Sequence, residues 1–390
     1  MMTIIREGNV FAPDPLGLRD ILIAGRQIID VAEPGRVQVH GSEVQVIEAK
    51  GRTIVPGLID AHVHILGGGG EGGPATRAPE ITIEDIIQSG VTTLIGCLGT
   101  DGITRHMESL LAKARALEVE GITTFIFSGS YEIPVKTLTG SVRSDLVLIE
   151  KIIGAGEIAI SDHRSSQPTF DEFARLAAEC RVGGMLGGKA GILHCHLGDG
   201  TRKLELLFRL LRETEIPPSQ VIPTHVNRNR PLLEESVEWV RRGGTVDLTT
   251  GPDPEPESGE VGIEESFALF IKSKIPLTNI TVSSDSNGSF PVFDERGRLI
   301  GLTIASQKDL LRKFRDLIAS KTLKVEEAAR VFSTNPAAFY KFGRKGEIKA
   351  GKDADLLVMD QDCRLTHCLA LGRLMMAEGE LIARGTFSPK

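Results

Sequence analysis

Histidine and aspartate side chains follow several strand-like segments of this chain, at positions where they could bind a metal ion. The segment GLIDAHVH ends with His62 and His64. Further along, VIPTHVN carries His225 and ITVSSDSNG carries Asp285. Residues i and i+2 of a strand point to the same face, so His62 and His64 can reach one metal together. Imidazole and carboxylate ligands suit zinc, so the pattern predicts a zinc-type site.

A further pair of histidines lies in the segment GILHCHLG. His194 and His196 share a face, but Leu197-Gly198 end the strand directly after His196. We therefore favour His196 as the ligand and give His194 a supporting role. A lone buried histidine is usually a hydrogen-bonded core residue, and His225 by itself would indicate little. The combination of HxH, two later strand-end histidines and an aspartate after the last strand favours the metal interpretation.

A glycine-rich run, Gly67-Gly68-Gly69-Gly70-Glu71-Gly72-Gly73, follows the first of these strands. It is not a P-loop, because no GK[ST] closes it. Glycines let the backbone approach a ligand closely and allow the loop to move. A plain flexible loop is the alternative. Glu71 favours a binding role, because a carboxylate can pair with a substrate ammonium group.

The elements that would position these residues alternate short apolar runs with helical patterns, which is typical of parallel βαβ units. Eight strand candidates lie in the middle of the chain: GLIDAHVH, VTTLIGCLG, ITTFIFSGS, EIAISDH, GILHCHLG, VIPTHVN, TVDLTT and ITVSSDSNG. Eight units predict a (β/α)8 TIM barrel over residues 57–340, with its catalytic face at the strand ends. A doubly wound open sheet is the rival fold, but it would show fewer units and a glycine fingerprint. Residues 1–56 and 341–390 are both β-rich, which predicts one small β-sandwich domain built from both termini.

Composition limits the compartment and the partners. The chain has 390 residues, 41% of them hydrophobic, enough for a barrel-sized core and a small second domain. A formal net charge of −7 argues against a nucleic-acid partner. We expect no membrane partner, because no run of 18 apolar residues occurs, and no secretory signal, because MMTIIREGNVFAPD lacks a basic region before an apolar stretch. The odd number of scattered cysteines predicts free thiols in a reducing cytoplasm. They are Cys97, Cys180, Cys195, Cys363 and Cys368.

Several longer segments resemble the bacterial isoaspartyl (β-aspartyl) dipeptidases of the amidohydrolase superfamily. They are VPGLIDAHVHILGGGGEGGPATRAPE, LGTDGITRH, LTGSVRSD, AISDHRSS, RVGGMLGGKAG, PTHVNRN, SSDSNGS and GEIKAGKDADLLVMD. HxH and ADLLV identify only the superfamily. GGGGEGGP, SDHRS and THVNRN together are more specific to the dipeptidases, and the resemblance runs over nearly the whole chain.

The resemblance implies a role for each matching residue and two divalent metal ions per subunit. One metal would bind His62, His64 and Asp285, and the other His196 and His225. Asp285 would also carry the proton, and Tyr131 would polarise the scissile carbonyl. Glu71 would hold the substrate's free α-amino group. The remaining pocket residues are Arg164, Arg228 and Ser289, which would hold carboxylate, and Thr100, which would line the pocket.

One position departs from the family pattern. The family bridges its two metals with a carboxylated lysine at the start of the fourth strand, and alignment back from SDHR places Glu157 there. Either Glu157 bridges the metals directly, or the second metal is weakened or lost. We favour the first, because a carboxylate supplies the same charge and two oxygens. Glutamate reaches less far, so the strand must sit closer or the metals must shift. Lys151 is a third candidate and ranks last, because it lies in a helical run.

The residues and the resemblance together predict a metallo-dipeptidase that hydrolyses β-aspartyl dipeptides with hydroxide generated at two metals and with Asp285 as general base and acid. The ligand types favour zinc for both metals. A homo-oligomer is implied by the family. One alternative is another amidohydrolase that acts on cyclic amides or N-acyl amino acids, such as a dihydroorotase, hydantoinase or D-aminoacylase. A cyclic substrate has no free ammonium, so Glu71 would lack a partner. A non-catalytic homologue is the other alternative, indicated only by Glu157.

Overall fold

The computed structural model of the protein describes residues 2–39, 43–251, 253, 259–293, 296 and 298–388. The strands of the N-terminal part are β1 (Met2–Phe11), β2 (Pro15–Ala24), β3 (Gln27–Ala32), β4 (Val44–Glu48) and β5 (Thr53–Pro56). The strands of the middle part are β6 (Leu58–Val63), β7 (Val91–Gly96), β8 (Thr123–Ser128), β9 (Ile152–Ile160), β10 (Ile192–Leu197), β11 (Val221–Thr224), β12 (Val246–Thr249) and β13 (Ile280–Ser283). They are followed by β14 (Ser289–Phe293), β15 (Leu299–Ile304), β16 (Leu356–Met359), β17 (Leu365–Ala370), β18 (Arg373–Ala377) and β19 (Glu380–Leu381).

The helices between the strands are mostly short and pack on the outside of the parallel sheet. They are α1 (Ile83–Gln88), α2 (Met107–Glu120), α3 (Val142–Leu148), α4 (Phe170–Gly187), α5 (Glu205–Glu213), α6 (Arg230–Arg241), α7 (Ile263–Lys272), α8 (Lys308–Ala319), α9 (Val325–Ala329) and α10 (Asn335–Phe339). A π-helical turn, Arg330–Thr334, joins α9 to α10. Local signals set the helix starts: Thr169 and Glu172 form a capping box at α4, and the Asn229 side chain accepts from the Leu232 amide at α6.

All eight predicted parallel strands are present as β6–β13. Six of them form one sheet in the order β11-β10-β9-β8-β7-β6, and β12 pairs with β13. The order follows the chain without reversal, which excludes the doubly wound rival fold. Backbone hydrogen bonds join the pair to both edges of the larger sheet. The Asp285 amide donates to His62 O at 3.1 Å, and the Val226 amide donates to Asp247 O at 3.4 Å.

The fourth strand of this series, β9, begins earlier than predicted and carries a bulge beside the site. Its partner β10 pairs Leu193 with Ala155 but Cys195 with Ile158, so β9 has one extra residue between these points. Two residues of β9, Gly156 and Glu157, therefore lie opposite the single residue His194 of β10. A β-carbon on Gly156 would lie 2.8 Å from His194 Cβ, so only glycine allows this close approach of the two strands. Bulges re-aim side chains, and this one places Glu157 opposite the histidines.

Strands from the two ends of the chain form one nine-stranded sheet, in the order β19-β18-β17-β16-β5-β1-β2-β3 with β4 on β1. The key junction is antiparallel pairing of β5 with β16. A buried ion pair between Lys345 and Asp355 links this sheet to the parallel sheet. Lys345 Nζ lies 2.6 Å from Asp355 Oδ2 and 2.7 Å from Thr123 Oγ1 at the start of β8. No helix among the described residues is long and apolar enough to cross a membrane.

Candidate metal centre and substrate pocket

The predicted metal ligands converge at the carboxyl ends of the parallel strands. His62 lies in β6, Glu157 in β9 and His196 in β10. His64, His225 and Asp285 follow β6, β11 and β13, and all six side chains belong to residues at most 5% exposed. Only a tertiary fold brings together residues this far apart in sequence.

Two of these residues have unusual backbone geometry. His225 has φ 61° and Asp285 has φ 55°, both in the left-handed region that non-glycine residues rarely adopt. Such conformations cost about 1–3 kcal/mol each and persist where the surroundings or the function require them. His225 directly follows β11, and Asp285 lies two residues after the end of β13, so both are at strand ends.

Glu157 is at the centre of the cluster. Its Oε2 lies 3.3 Å from His62 Nε2, 2.9 Å from His196 Nδ1 and 3.6 Å from His225 Nε2. Its Oε1 lies 3.3 Å from His64 Nε2. One carboxylate therefore faces four imidazoles, which is the position that a ligand shared by two ions would take.

Asp285 contacts one side of this arrangement. Its Oδ1 lies 3.0 Å from His64 Nε2 and 3.4 Å from His62 Nε2. Sets of ligand atoms lying within 4.8 Å of one another include His62, His225 and Asp285 in one set, and Glu157, His196 and His225 in another. His225 belongs to both sets, so the two potential ion positions are close together.

Several of these ligand atoms lie 3.0–3.6 Å from other ligands and yet form no hydrogen bond of suitable geometry among the described residues. They are His62 Nε2, His225 Nε2, Glu157 Oε1 and Asp285 Oδ1. Buried polar atoms are normally hydrogen-bonded, and an exception needs an explanation such as an ion. Nitrogen and carboxylate donors aimed at one small volume fit divalent metal ions. The residues present therefore fit the metal cluster that the sequence predicted.

The ring nitrogens that face away from the cluster are held by other side chains. His62 Nδ1 lies 2.8 Å from His194 Nε2, and His225 Nδ1 lies 2.6 Å from Thr249 Oγ1. Such outer contacts fix the tautomer and direction of a metal-binding imidazole. His194 thus lies behind the ligands, consistent with the supporting role assigned to it.

Asp162 is a site residue that the sequence analysis missed. Its Oδ2 lies 3.0 Å from His196 Nε2 and 2.7 Å from Arg164 Nη2. The contacts with His196 and Arg164 hold the pKa of this carboxyl well below its ordinary value, against the effect of burial. The sequence did contain a signal for Asp162, because this residue belongs to the SDHRS motif and lies two positions before Arg164.

The electrostatics keep the two central carboxylates charged. Burial alone would raise the pKa of Glu157, but the charges on His62 and His196 hold it well below its ordinary value. In the same way, contacts with His64 and His225 outweigh burial and lower the pKa of Asp285 to about 2. Ionised carboxylates are the form that binds cations.

The substrate-binding residues predicted from the sequence line a pocket of about 300 Å³ above this cluster. Its lining includes Glu71, Thr100, Tyr131, Arg164, Arg228 and Ser289, together with His64, His196 and Asp285. The pocket therefore places three of the six predicted metal ligands and the predicted substrate contacts in one cavity.

The Glu71 carboxylate contacts three polar side chains of the pocket. Ser289 Oγ donates to Glu71 Oε2 at 2.9 Å, and Thr100 Oγ1 donates to Glu71 Oε1 at 3.0 Å. Arg164 Nη1 lies 3.4 Å from Glu71 Oε1. Ser289 was expected to hold a substrate carboxylate, but in this structure its hydroxyl contacts Glu71.

Tyr131 and Arg228 both line the pocket. The Tyr131 hydroxyl lies 3.0 Å from His196 Nδ1, and the Arg164 guanidinium lies over the Tyr131 ring. Burial holds the pKa of the Tyr131 phenol well above its ordinary value, so its hydroxyl stays protonated and can donate. Arg228 Nε is buried and has no hydrogen-bond partner among the described residues.

Lys151 is excluded as a metal bridge. It directly precedes β9, at the opposite end from the site, and its ammonium donates to Thr124 O at 2.9 Å. It also pairs with Glu118 at 2.6 Å. Lysine at the far end of the strand cannot reach the histidines, so this third candidate was wrong.

The chain resembles known hydrolases in both sequence and structure. Residues 263–378 match the model of the Amidohydrolase family. A solved beta-aspartyl dipeptidase from Fervidobacterium islandicum AW-1, in complex with the beta-Asp-Leu dipeptide, is 44% identical and superposes with a TM-score of 0.91, covering 98% of each chain. The chain belongs to the beta-aspartyl dipeptidase family of amidohydrolases. The predicted family and the predicted enzyme class, a hydrolytic dipeptidase, are confirmed by this relationship.

Two more distant relatives match the chain, one in structure and one in sequence. Dihydropyrimidinase from Brevibacillus agri NCHU1002 is 17% identical, with a TM-score of 0.67 over 99% of this chain and 97% of that one. Adenine deaminase from Halalkalibacterium halodurans is 22% identical over 382 residues, which cover 95% of this chain and 56% of that protein. The chain therefore spans little more than half the length of this curated relative.

Proposed function

We propose that this protein hydrolyses β-aspartyl dipeptides with two divalent metal ions, and that these ions are zinc. The observation that carries the proposal is one pocket in which a cluster of four imidazoles and two carboxylates adjoins Glu71 and Arg164. The relationship to a dipeptidase that was solved with beta-Asp-Leu supports the choice of substrate.

The two ions would be held by the ligands already described. His62, His64 and Asp285 would hold one, His196 and His225 the other, and Glu157 would be shared by both. When bound, such ions lower the pKa of a water molecule and polarise the scissile carbonyl. Glu157 would replace the carboxylated lysine of the family pattern, and the β9 bulge offsets its shorter reach.

Proton transfer would fall to Asp285. Its pKa of about 2 makes it an ionised base at neutral pH. It would accept the proton of the attacking water and pass it to the departing amine. Tyr131, protonated and buried, would donate a hydrogen bond to the carbonyl oxygen as negative charge develops on that atom.

The charges of the pocket complement the charges of an isoaspartyl dipeptide. Such a dipeptide has an ammonium and a carboxylate near the scissile bond and a second carboxylate beyond it. Glu71 would bind the ammonium, while Arg164 and Arg228 would bind carboxylates through their planar guanidinium groups. Ser289 would assist carboxylate binding, and Thr100 would line the pocket.

The direct test is hydrolysis by purified, zinc-loaded protein of β-Asp-Leu, α-Asp-Leu and two cyclic amides, dihydroorotate and hydantoin. We expect turnover of β-Asp-Leu alone, with about two equivalents of metal per chain by elemental analysis, a ratio taken from the two-ion mechanism. The Asp285→Ala variant, prepared in parallel, controls for contaminating peptidases. Turnover of a cyclic amide but not of β-Asp-Leu would refute the proposed substrate. Less than one metal per chain with no turnover would indicate a non-catalytic homologue.

We further propose the setting in which this chemistry takes place. Residues 57–340 would form one closed (β/α)8 barrel, and residues 1–56 and 341–390 would form a small β-sandwich domain. Hydrogen bonds at both edges of the β12–β13 pair support closure. A cytoplasmic location is supported by cysteines that all remain as thiols. A homo-oligomer is supported by exposed apolar side chains at Leu148, Met185 and Leu186, and sedimentation analysis would test it.

A further inference from the structure

Cys97 lies among the candidate metal ligands. It directly follows β7, is 1% exposed, and its Sγ lies 3.9 Å from His64 Nδ1 and 3.6 Å from Val63 O. The sequence analysis predicted only a free thiol at this position. Cys180 and Cys195 are buried in the main apolar core and Cys97 in a smaller apolar cluster, but of these three only Cys97 lies within reach of other potential metal ligands among the described residues.

Cys97 belongs to a set of four potential ligands. The ligand atoms of His62, His64, Cys97 and Glu157 all lie within 4.8 Å of one another, and all four residues are buried. Two atoms of the set, His62 Nε2 and Glu157 Oε1, have no hydrogen-bond partner among the residues described. These unpartnered atoms indicate, independently of the thiol, that a cation belongs in the space that Cys97 also faces.

The chemistry of the set matches one class of ion. Imidazole, thiolate and carboxylate are the ligand types found in protein zinc sites, and with Asp285 this ion would have five such donors. Thiolate is a softer ligand than carboxylate and selects zinc and similar ions over magnesium or calcium. Glutamate is shorter than a carboxylated lysine, so an added ligand on the neighbouring strand end would compensate for weaker bridging.

We propose that the Cys97 thiolate is a direct ligand of the ion held by His62 and His64. This inference rests on the proposed two-metal function. The His62–His64 ion then has ligands from β6, β9 and the segments after β7 and β13, so one ion links four strand ends. Cys97, Glu157 and Asp285 together supply three negative charges against the four positive charges of two such ions.

The test replaces the native ions with cobalt(II), whose bond to a thiolate gives an intense charge-transfer absorption in the near ultraviolet that imidazole and carboxylate do not give. Metal-free protein is titrated with cobalt, and both the spectrum and the bound cobalt per chain are measured. We expect the absorption in the unaltered protein and in Cys180→Ala, a matched control for a buried cysteine remote from the site. We expect Cys97→Ala and Cys97→Ser to lose it.

The outcomes separate this inference from the function on which it rests. Two bound cobalt ions without the absorption in the unaltered protein would overturn the thiolate ligand and leave the two-metal proposal standing. Persistence of the absorption in Cys97→Ala would do the same. No cobalt bound by the unaltered protein would overturn both. Because the first readout needs no variant, the test holds even if a Cys97 variant fails to fold.

Discussion

Replacing Tyr131 with phenylalanine tests the assignment of the oxyanion donor most directly. The substitution removes one hydroxyl, which lies 3.0 Å from His196 Nδ1, and keeps the ring on which the Arg164 guanidinium rests. If the hydroxyl stabilises charge on the carbonyl oxygen, its loss should lower kcat by about 10²–10³-fold, or about 2.7–4 kcal/mol. The interaction is made mainly in the transition state, so KM should change little.

A structural role would give a different result. A hydroxyl that only bonds His196 contributes about 0.5–1.5 kcal/mol to stability, so its loss would change the melting temperature with little effect on kcat. The assay is steady-state hydrolysis of β-Asp-Leu with metal content measured on the same sample. The second of the two tyrosines provides the matched control, because the Tyr340 hydroxyl lies 3.4 Å from His194 Nδ1, behind the ligands.

We expect Tyr340→Phe to keep most of its activity and Tyr131→Phe to lose nearly all of it, both with full metal content. The reasoning would be refuted by a Tyr131→Phe enzyme that holds its metals and has a near-normal kcat. It would also be refuted if the loss of activity followed only the loss of metal.

Three further perturbations follow from the structure. Glu71→Gln should lower kcat/KM for β-Asp-Leu, with a loss of at least about 2 kcal/mol of transition-state stabilisation and unchanged metal content, because the substrate ammonium loses its charged partner. An unchanged kcat/KM would show that Glu71 does not bind the ammonium. Glu157→Ala should lose at least one metal per chain by elemental analysis, and full retention would show that Glu157 is not shared between two ions. Lys345→Met should reduce the free energy of unfolding, measured in guanidinium chloride, by about 3–5 kcal/mol, because Asp355 is left buried and unpaired. An unfolding free energy equal to that of the unaltered protein would contradict the last prediction.

The sequence predicted the parallel strands and the principal ligands because both depend on local spacing. The HxH pattern of His62 and His64 places two imidazoles on one face, and the ends of parallel strands meet at one edge of the sheet. These two rules predicted that His225 and Asp285 lie beside His62 and His64, without knowledge of any contact between them. The family resemblance supplied the pocket residues, which spacing alone would not reveal.

The remaining features depend on contacts between segments that are distant in the chain. The β9 bulge at Glu157 is defined by its register against β10, which the sequence of β9 does not disclose. Asp162 became visible as a partner of His196 only when the two strand ends met. The sequence also did not reveal that the hydroxyls of Ser289 and Thr100 contact Glu71, because that contact requires the segments after β6, β7 and β13 to converge on one carboxylate.

The sheet made from both ends of the chain also constrains the order in which the protein can be completed during synthesis. Thr53–Pro56 is made early, yet one of its two neighbouring strands, Leu356–Met359, leaves the ribosome only after all eight parallel strands. Until then one edge of that early strand has unpaired backbone groups, which are open to pairing with other chains. The parallel strands therefore fold beside an unfinished sheet, and Leu356–Met359 closes the exposed edge once it has been synthesised.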